Sequence, residues 1–206
     1  MRYRHWIPLI SVVIVLYASA SCSSYEPPPL EKYIPNANIM YYDIRGSTAE
    51  DLVDQMNLIG PMGDHGRRVW AYAQSDFSWD YSPNEDENGN CRVENAQVGL
   101  KIDVKFPRWI PPNNASPELI AEWENFIRAL AEHENGHVKL FFKRSGDIEA
   151  ALWGSDCGSA DGATYNAFGL MQQINDEYDD KTNHGATQGA IFPSIARGPV
   201  SAIKPS

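Results

Sequence analysis

The chain is short of basic side chains, of cysteine and of long apolar runs, and each shortage narrows what it can do. Lys and Arg number 17 against 27 Asp and Glu, a formal charge of −10 at pH 7. Nucleic-acid binders need clustered cations for phosphate contacts, so this balance argues against a nucleic-acid partner. No apolar stretch reaches the roughly 18–20 residues that a membrane-spanning helix needs. No internal repeat is present. Three cysteines is an odd number, which leaves one thiol over if the others pair. Against these shortages stand 43% hydrophobic and 11% aromatic residues in 206 positions, enough for a core and about one domain.

The N-terminus reads as an address. Arg2 and Arg4 precede the apolar stretch Trp6 to Tyr17, and small residues follow from Ala18 to Cys22. That order is the layout of a secretory signal peptide over residues 1–21. Two cleavage sites compete. Ala18-Ser19-Ala20 suits cleavage before Ser21. Ser19-Ala20-Ser21-Cys22 is similar to a bacterial lipobox without its usual leucine, and would leave a lipid on Cys22. Cysteine arithmetic favours the second, because Cys91 and Cys157 then remain as one disulfide in an oxidising compartment. The expected location is the periplasm or the outer membrane, with the lipid as the only membrane contact. Residues 22–39, with Pro27-Pro28-Pro29, read as a tether. Loss of Arg2 and Arg4 leaves 15 basic against 27 acidic groups, a charge of −12.

The remaining pattern predicts a single α+β domain over residues 40–192, followed by a loose tail, 193–206. Met40 to Ile44 reads as a strand. Ser47-Thr48-Ala49-Glu50 has the form of a capping box and opens a helix to Ile59, stopped by Gly60-Pro61. From Val98 to Phe106 apolar residues alternate strictly with Gly99, Lys101, Asp103 and Lys105, the mark of a half-buried strand. The expectation is a small antiparallel sheet from residues 69–106, ended by Pro107. Ser116-Pro117-Glu118 opens a long helix, with an N-cap candidate and proline in the first turn. It is expected to end at Ser145-Gly146, with further helices over 147–153 and 163–178.

The long helix carries the chemistry. His133-Glu134-Asn135-Gly136-His137 has the form H-E-x-x-H. Positions four apart share a helix face, so both imidazoles can reach one ion. In zinc peptidases of this form the glutamate takes a proton from a water that the metal activates. Trp123, Phe126, Ile127, Leu130 and Phe141 share the face of the motif, so the motif points inward. Buried imidazoles and a carboxylate need partners, and a metal supplies them. Gly136 costs roughly 1 kcal/mol relative to alanine inside a helix, which close approach by a neighbouring backbone or a substrate strand would explain. Catalytic zinc takes three protein ligands and keeps one position open. Lys143 stands where a third histidine follows in the extended form of the motif. The third ligand must come from Asp147, Glu149, Asp156, Asp161, Glu177, Asp179, Asp180 or His184. His65 reads as a surface turn residue. Tyr178 is a candidate for stabilising an oxyanion or for packing.

Several segments resemble the bacterial family called domain of unknown function 922, whose members are described as predicted secreted zinc-dependent proteases. They are Tyr41 to Thr48, Pro107-Arg108-Trp109, the helical motif, and Tyr178 to Ala190 with Thr182, His184-Gly185 and Gln188-Gly189-Ala190. The resemblance implies a zincin-like active-site helix beside a sheet. It also implies His184 close to the metal, and so ranks His184 above Glu177 as third ligand. The resulting expectation is a zinc metallopeptidase in which His133, His137 and His184 hold Zn2+ and Glu134 activates water. Its substrate would be a peptide or protein, which could pair with a strand such as Val98 to Phe106. A hydrolase of cell-wall peptide and a non-catalytic metal-binding lipoprotein are the alternatives.

Overall fold

The computed structural model describes residues 25–194 apart from 64–65 and 154. The signal peptide, Cys22, His65 and residues 195–206 of the tail lie outside the described residues. Strand β1 (Asn38–Ile44) leads into helix α1 (Ala49–Ile59), then β2 (Tyr72–Glu85), β3 (Cys91–Trp109), α2 (Pro117–Leu152) and α3 (Ala160–Thr182). Among the described residues no helix is long and apolar enough to cross a membrane.

The three strands form one sheet in the order β1-β3-β2. β2 and β3 are an antiparallel hairpin, but β1 runs parallel to β3, with Asn38 opposite Asp103 and Ile44 opposite Trp109. The sheet is therefore mixed, not antiparallel as the local pattern suggests. The strand β3 also runs past Pro107. Pairing with β2 stops at Lys105, so Pro107 sits where β3 has a partner on one side only. A residue with no N–H is tolerated at such a position. The alternation from Val98 to Phe106 holds, with Ile102, Val104 and Phe106 buried against the helices.

Helix α1 is capped one residue later than expected. Thr48 accepts from the Asp51 amide at 3.1 Å, and the Asp51 carboxylate accepts from the amides of Thr48 and Ser47. The overlapping frame from Ser47 to Glu50 is not used. Helix α2 does not stop at Ser145-Gly146. It continues unbroken to Leu152, because Ile148 and Leu152 extend its buried stripe and Gly146 faces open space. Helix α3 likewise begins before Ala163 and ends after Tyr178.

The core lies between the sheet and α2. Trp123 meets Trp109, Phe126 and Phe192 at ring separations of 5.4–6.0 Å, and Trp70 meets Phe126 edge-on at 5.6 Å. Such aromatic contacts pin the first half of α2 to β3, to Trp70 just before β2 and to Phe192 beyond α3. Leu30 and Ile34, from the stretch read as a tether, are buried in the same core. The disulfide expected from cysteine arithmetic is present: Cys91, at the start of β3, is bonded to Cys157 between α2 and α3.

Candidate metal centre

His133 and His137 project from α2 beneath a cavity of about 850 Å³. Both are buried, as is Glu134 between them. Helix α3 lies alongside and adds Asn175, Tyr178, Asp179 and Thr182. Asn175 and Asp179 are one turn apart, so both face α2. The Nε2 atoms of His133 and His137 each lie 3.1 Å from the same oxygen, Oδ1 of Asp179. These three side chains form a group that could hold a metal ion. Asp179 stood among the sequence candidates without distinction, one residue past the expected end of its helix. The i, i+4 spacing from Asn175 was the signal that could have singled it out.

The outer nitrogens of both rings are held. His137 Nδ1 lies 2.9 Å from Asn175 Oδ1. The Asn175 amide group donates to the Met171 carbonyl at 3.0 Å, which fixes its oxygen toward the histidine. Nδ1 is then the donor in this contact, so Nε2 donates to Asp179 when the ring is protonated and offers its lone pair to a cation when the ring is neutral. His133 Nδ1 is similarly 3.0 Å from Gln188 Oε1. Sequence reading gave neither Asn175 nor Gln188 this part. The chain reaches Gln188 through Asn183, His184 and Gly185, all with positive φ. That reversal folds the loop after α3 back over the motif. At Gly185 (φ +81°) a Cβ would press on the His133 ring, so both its conformation and its contact favour glycine.

Tyr178 explains Gly136. A Cβ at residue 136 would collide with the phenol ring and hydroxyl of Tyr178. The ring stacks on His133, and the hydroxyl donates to the His133 carbonyl at 3.2 Å and accepts from Gln188 Nε2 at 3.1 Å. The close approach is thus made by a side chain, and Tyr178 does not line the cavity. His184 is exposed at the cavity mouth, its Nδ1 3.6 Å from Asp179 Oδ2. Glu177 is also exposed and is paired with Lys181 on the outer face of α3.

Electrostatics follow from these contacts. Burial pushes the Glu134 carboxyl up, against the charges of His137 and His133 and a hydrogen bond from the Ala73 amide. Burial would raise Asp179 too, but hydrogen bonds from the two histidines and their charges hold its carboxyl well below the usual range. Burial would lower His137, but its hydrogen bond to Asp179 and the charge of Glu134 raise it instead. Without a cation the three groups must share protons, because two lone pairs and a carboxylate oxygen otherwise face one another. Two imidazole nitrogens and one carboxylate oxygen are a donor set that suits zinc and related divalent ions.

The family model for bacterial proteins of unknown function (DUF922) matches residues 39–185, most of the chain. The chain belongs to this family. In this DUF922 protein the matched stretch contains the sheet apart from Asn38, both long helices and all three side chains of the His133–His137–Asp179 group. Gln188 lies just beyond it. No curated protein and no solved structure matches the chain.

Proposed function

We propose that the protein is a zinc-dependent metallopeptidase of the envelope, with α2 serving as a zincin-like active-site helix. One observation carries this reading: two Nε2 atoms converge on Asp179 at the base of a cavity, with buried Glu134 beside them. His133, His137 and Asp179 would hold the ion, with His184 poised next to Asp179. A zinc ion there would supply a Lewis acid that polarises a carbonyl and makes a nearby water more acidic. Glu134 takes the proton from the attacking water and later gives it to the departing amine, so hydrolysis yields one carboxylate and one amine. Its hydrogen bond from the Ala73 amide keeps it beside the first residues of β2. That strand is the one of the two sheet edges that borders the cavity, whereas β3 is central, so β2 and not Val98 to Phe106 is the strand beside which an extended peptide would lie. Asn175, Gln188 and Tyr178 orient the histidines.

The export signal at residues 1–21, with or without lipid on Cys22, supports an envelope location. The nearness of His184 to Asp179 favours a second reading, a closed, non-catalytic metal site with four ligands. The purified protein loaded with zinc is expected to cut unfolded protein, and Glu134→Gln to keep one zinc per chain but lose the cutting. Absence of stoichiometric zinc would overturn the metal reading. Full activity in Glu134→Gln would overturn the mechanism.

A further inference from the structure

The chain enters the fold with little slack. Tyr25 packs on Trp109 at 6.0 Å between ring centroids, and Leu30 and Ile34 just after it are buried in the core. Cys22, the position a lipid would occupy, precedes Tyr25 by three residues, a span of at most about 11 Å. A lipid there holds the Tyr25 end of the body close to the bilayer, where a long tether would let it swing. Ring contacts lead on from Tyr25 to Trp109, Trp123, Phe126 and Trp70, each step 6.0 Å or less, so Trp70 belongs to the same end of the molecule. The turn of the β2–β3 hairpin, Asp86 to Asn90, is at the far end, because the 14 residues of β2 carry the chain away from Trp70 by about 40 Å.

The surface beside Trp70 differs from the rest of an acidic protein. Leu58, Ile59 and Met62 are 69%, 42% and 52% exposed, three large apolar side chains within one short stretch. The last turn of α1 and the loop after it are held together. Arg68 Nη1 donates to the Gly60 carbonyl at 2.6 Å, the Val69 amide to the Pro61 carbonyl at 3.0 Å, and Trp70 Nε1 to Asn57 Oδ1 at 2.8 Å. Arg67, next along, is exposed, and Trp70 is half-buried. From Asn57 to Trp70 the sequence has Arg67 and Arg68 against Asp64 alone, in a chain with 17 basic and 27 acidic groups. Apolar side chains with flanking arginines and a half-buried tryptophan suit the boundary between lipid headgroups and acyl chains.

We propose that this end of the molecule, with Leu58, Ile59, Met62, Arg67 and Trp70, seats on a bilayer containing anionic phospholipid. It is a membrane contact in addition to a lipid on Cys22. The apolar side chains enter the headgroup region, and the arginines meet phosphate. Gly63, Arg67 and Arg68 also line the cavity, so one rim of the cavity then lies at the lipid surface. The proposal does not need the peptidase reading, and its test does not measure cutting.

The mature chain, residues 22–206 with the disulfide intact, is coupled through the Cys22 thiol to a maleimide lipid in vesicles of phosphatidylethanolamine and phosphatidylglycerol. The coupling is chemical, so the result does not depend on how a cell processes Cys22. Amide hydrogen exchange is compared with that of the same protein capped at Cys22 by a small maleimide in buffer. Peptides from 57–70 are expected to exchange at least about fivefold more slowly on the vesicles, and peptides from 84–92 at the same rate in both. Vesicles of phosphatidylcholine alone should remove most of the slowing, because one arginine at an anionic surface is worth about fivefold in binding. The combined variant Leu58→Ser, Met62→Ser, Arg67→Gln should do the same. All three side chains are exposed, and unchanged exchange elsewhere shows that the variant is folded. Should it misfold, the two lipid compositions carry the comparison without any substitution. No slowing at 57–70, equal slowing at both ends, the same slowing on phosphatidylcholine, or a folded variant that slows like the wild type overturns the proposal. So does slowing that appears in buffer as protein concentration rises, which would make the patch a contact between copies of the chain.

Discussion

The ring of Tyr178 lies parallel to the imidazole of His133, 10° between planes and 5.2 Å between centroids, with its hydroxyl end in the space left by the missing Cβ of Gly136. This one contact links a helix glycine to the orientation of a ring in the group that could hold a metal ion. Gly136→Ala would gain about 1 kcal/mol of helix propensity, but the clash displaces Tyr178. The expected net result is a loss of about 2 kcal/mol, the usual scale of overpacking, with weaker zinc binding. In a Tyr178→Ala background the same substitution should become stabilising. Thermal melts and zinc titrations on the four proteins of this cycle check the sign reversal.

Asp179 and His184 compete for the part of third ligand, and their positions predict an unequal outcome. Asp179→Ala is expected to weaken zinc binding by at least about 100-fold. His184→Ala should weaken it by about tenfold or less, the scale of a supporting residue. Isothermal titration against a competing chelator gives both numbers. The reverse order would make His184 the ligand and Asp179 its hydrogen-bond partner.

Proton and metal linkage act in opposite directions at the same rings. In metal-free protein His137 is raised above its ordinary value. Its contribution to stability is complete below about pH 6.5 and is lost as pH rises through the folded value. Asp179 is depressed, so its contribution is present above about pH 3.9 and is lost as pH falls below that. Chelator-treated protein should therefore melt at a higher temperature at pH 6 than at pH 8. Zinc binds deprotonated imidazole, so the increase in melting temperature on adding zinc should be larger at pH 8. Melts with and without EDTA across this range are the measurement.

The Cys91–Cys157 disulfide joins the sheet to the junction of α2 and α3 across 66 residues. Replacing both cysteines with serine is expected to cost about 2–4 kcal/mol, read by urea unfolding. Neither residue touches the histidines, so zinc stoichiometry at 25 °C should be retained.

Local chemistry made some elements readable and hid others. The start of α2 was legible because Ser116 and Pro117 act within one turn. Its inward face was legible because Trp123, Phe126 and Leu130 share the phase of His133 and His137. Its end was not, because Ser145-Gly146 has the composition of a stop while the buried Ile148 and Leu152 outweigh that preference. The parallel pairing of β1 was hidden, since nothing within residues 38–44 records which strand they will meet. The same holds for the site. H-E-x-x-H announces itself within five residues, but Asn175, Asp179 and Gln188 arrive from another helix and the loop beyond it; the i, i+4 spacing of Asn175 and Asp179 puts those two on one face, and only packing shows that this face meets the histidines. Gly136 was legible as an anomaly, and only the fold revealed that an aromatic side chain causes it.

The parallel pairing also sets an order of events in time. A chain made from its N-terminus produces β1 first, yet Asn38 finds Asp103 only 65 residues later. Until then Asn38 to Ile44 is a strand without a ladder, and the loop that must close is long. The sheet is thus completed by the second half of its middle member, and a nascent chain that stops before residue 103 can close the hairpin of β2 with the first part of β3 while β1 still has no partner.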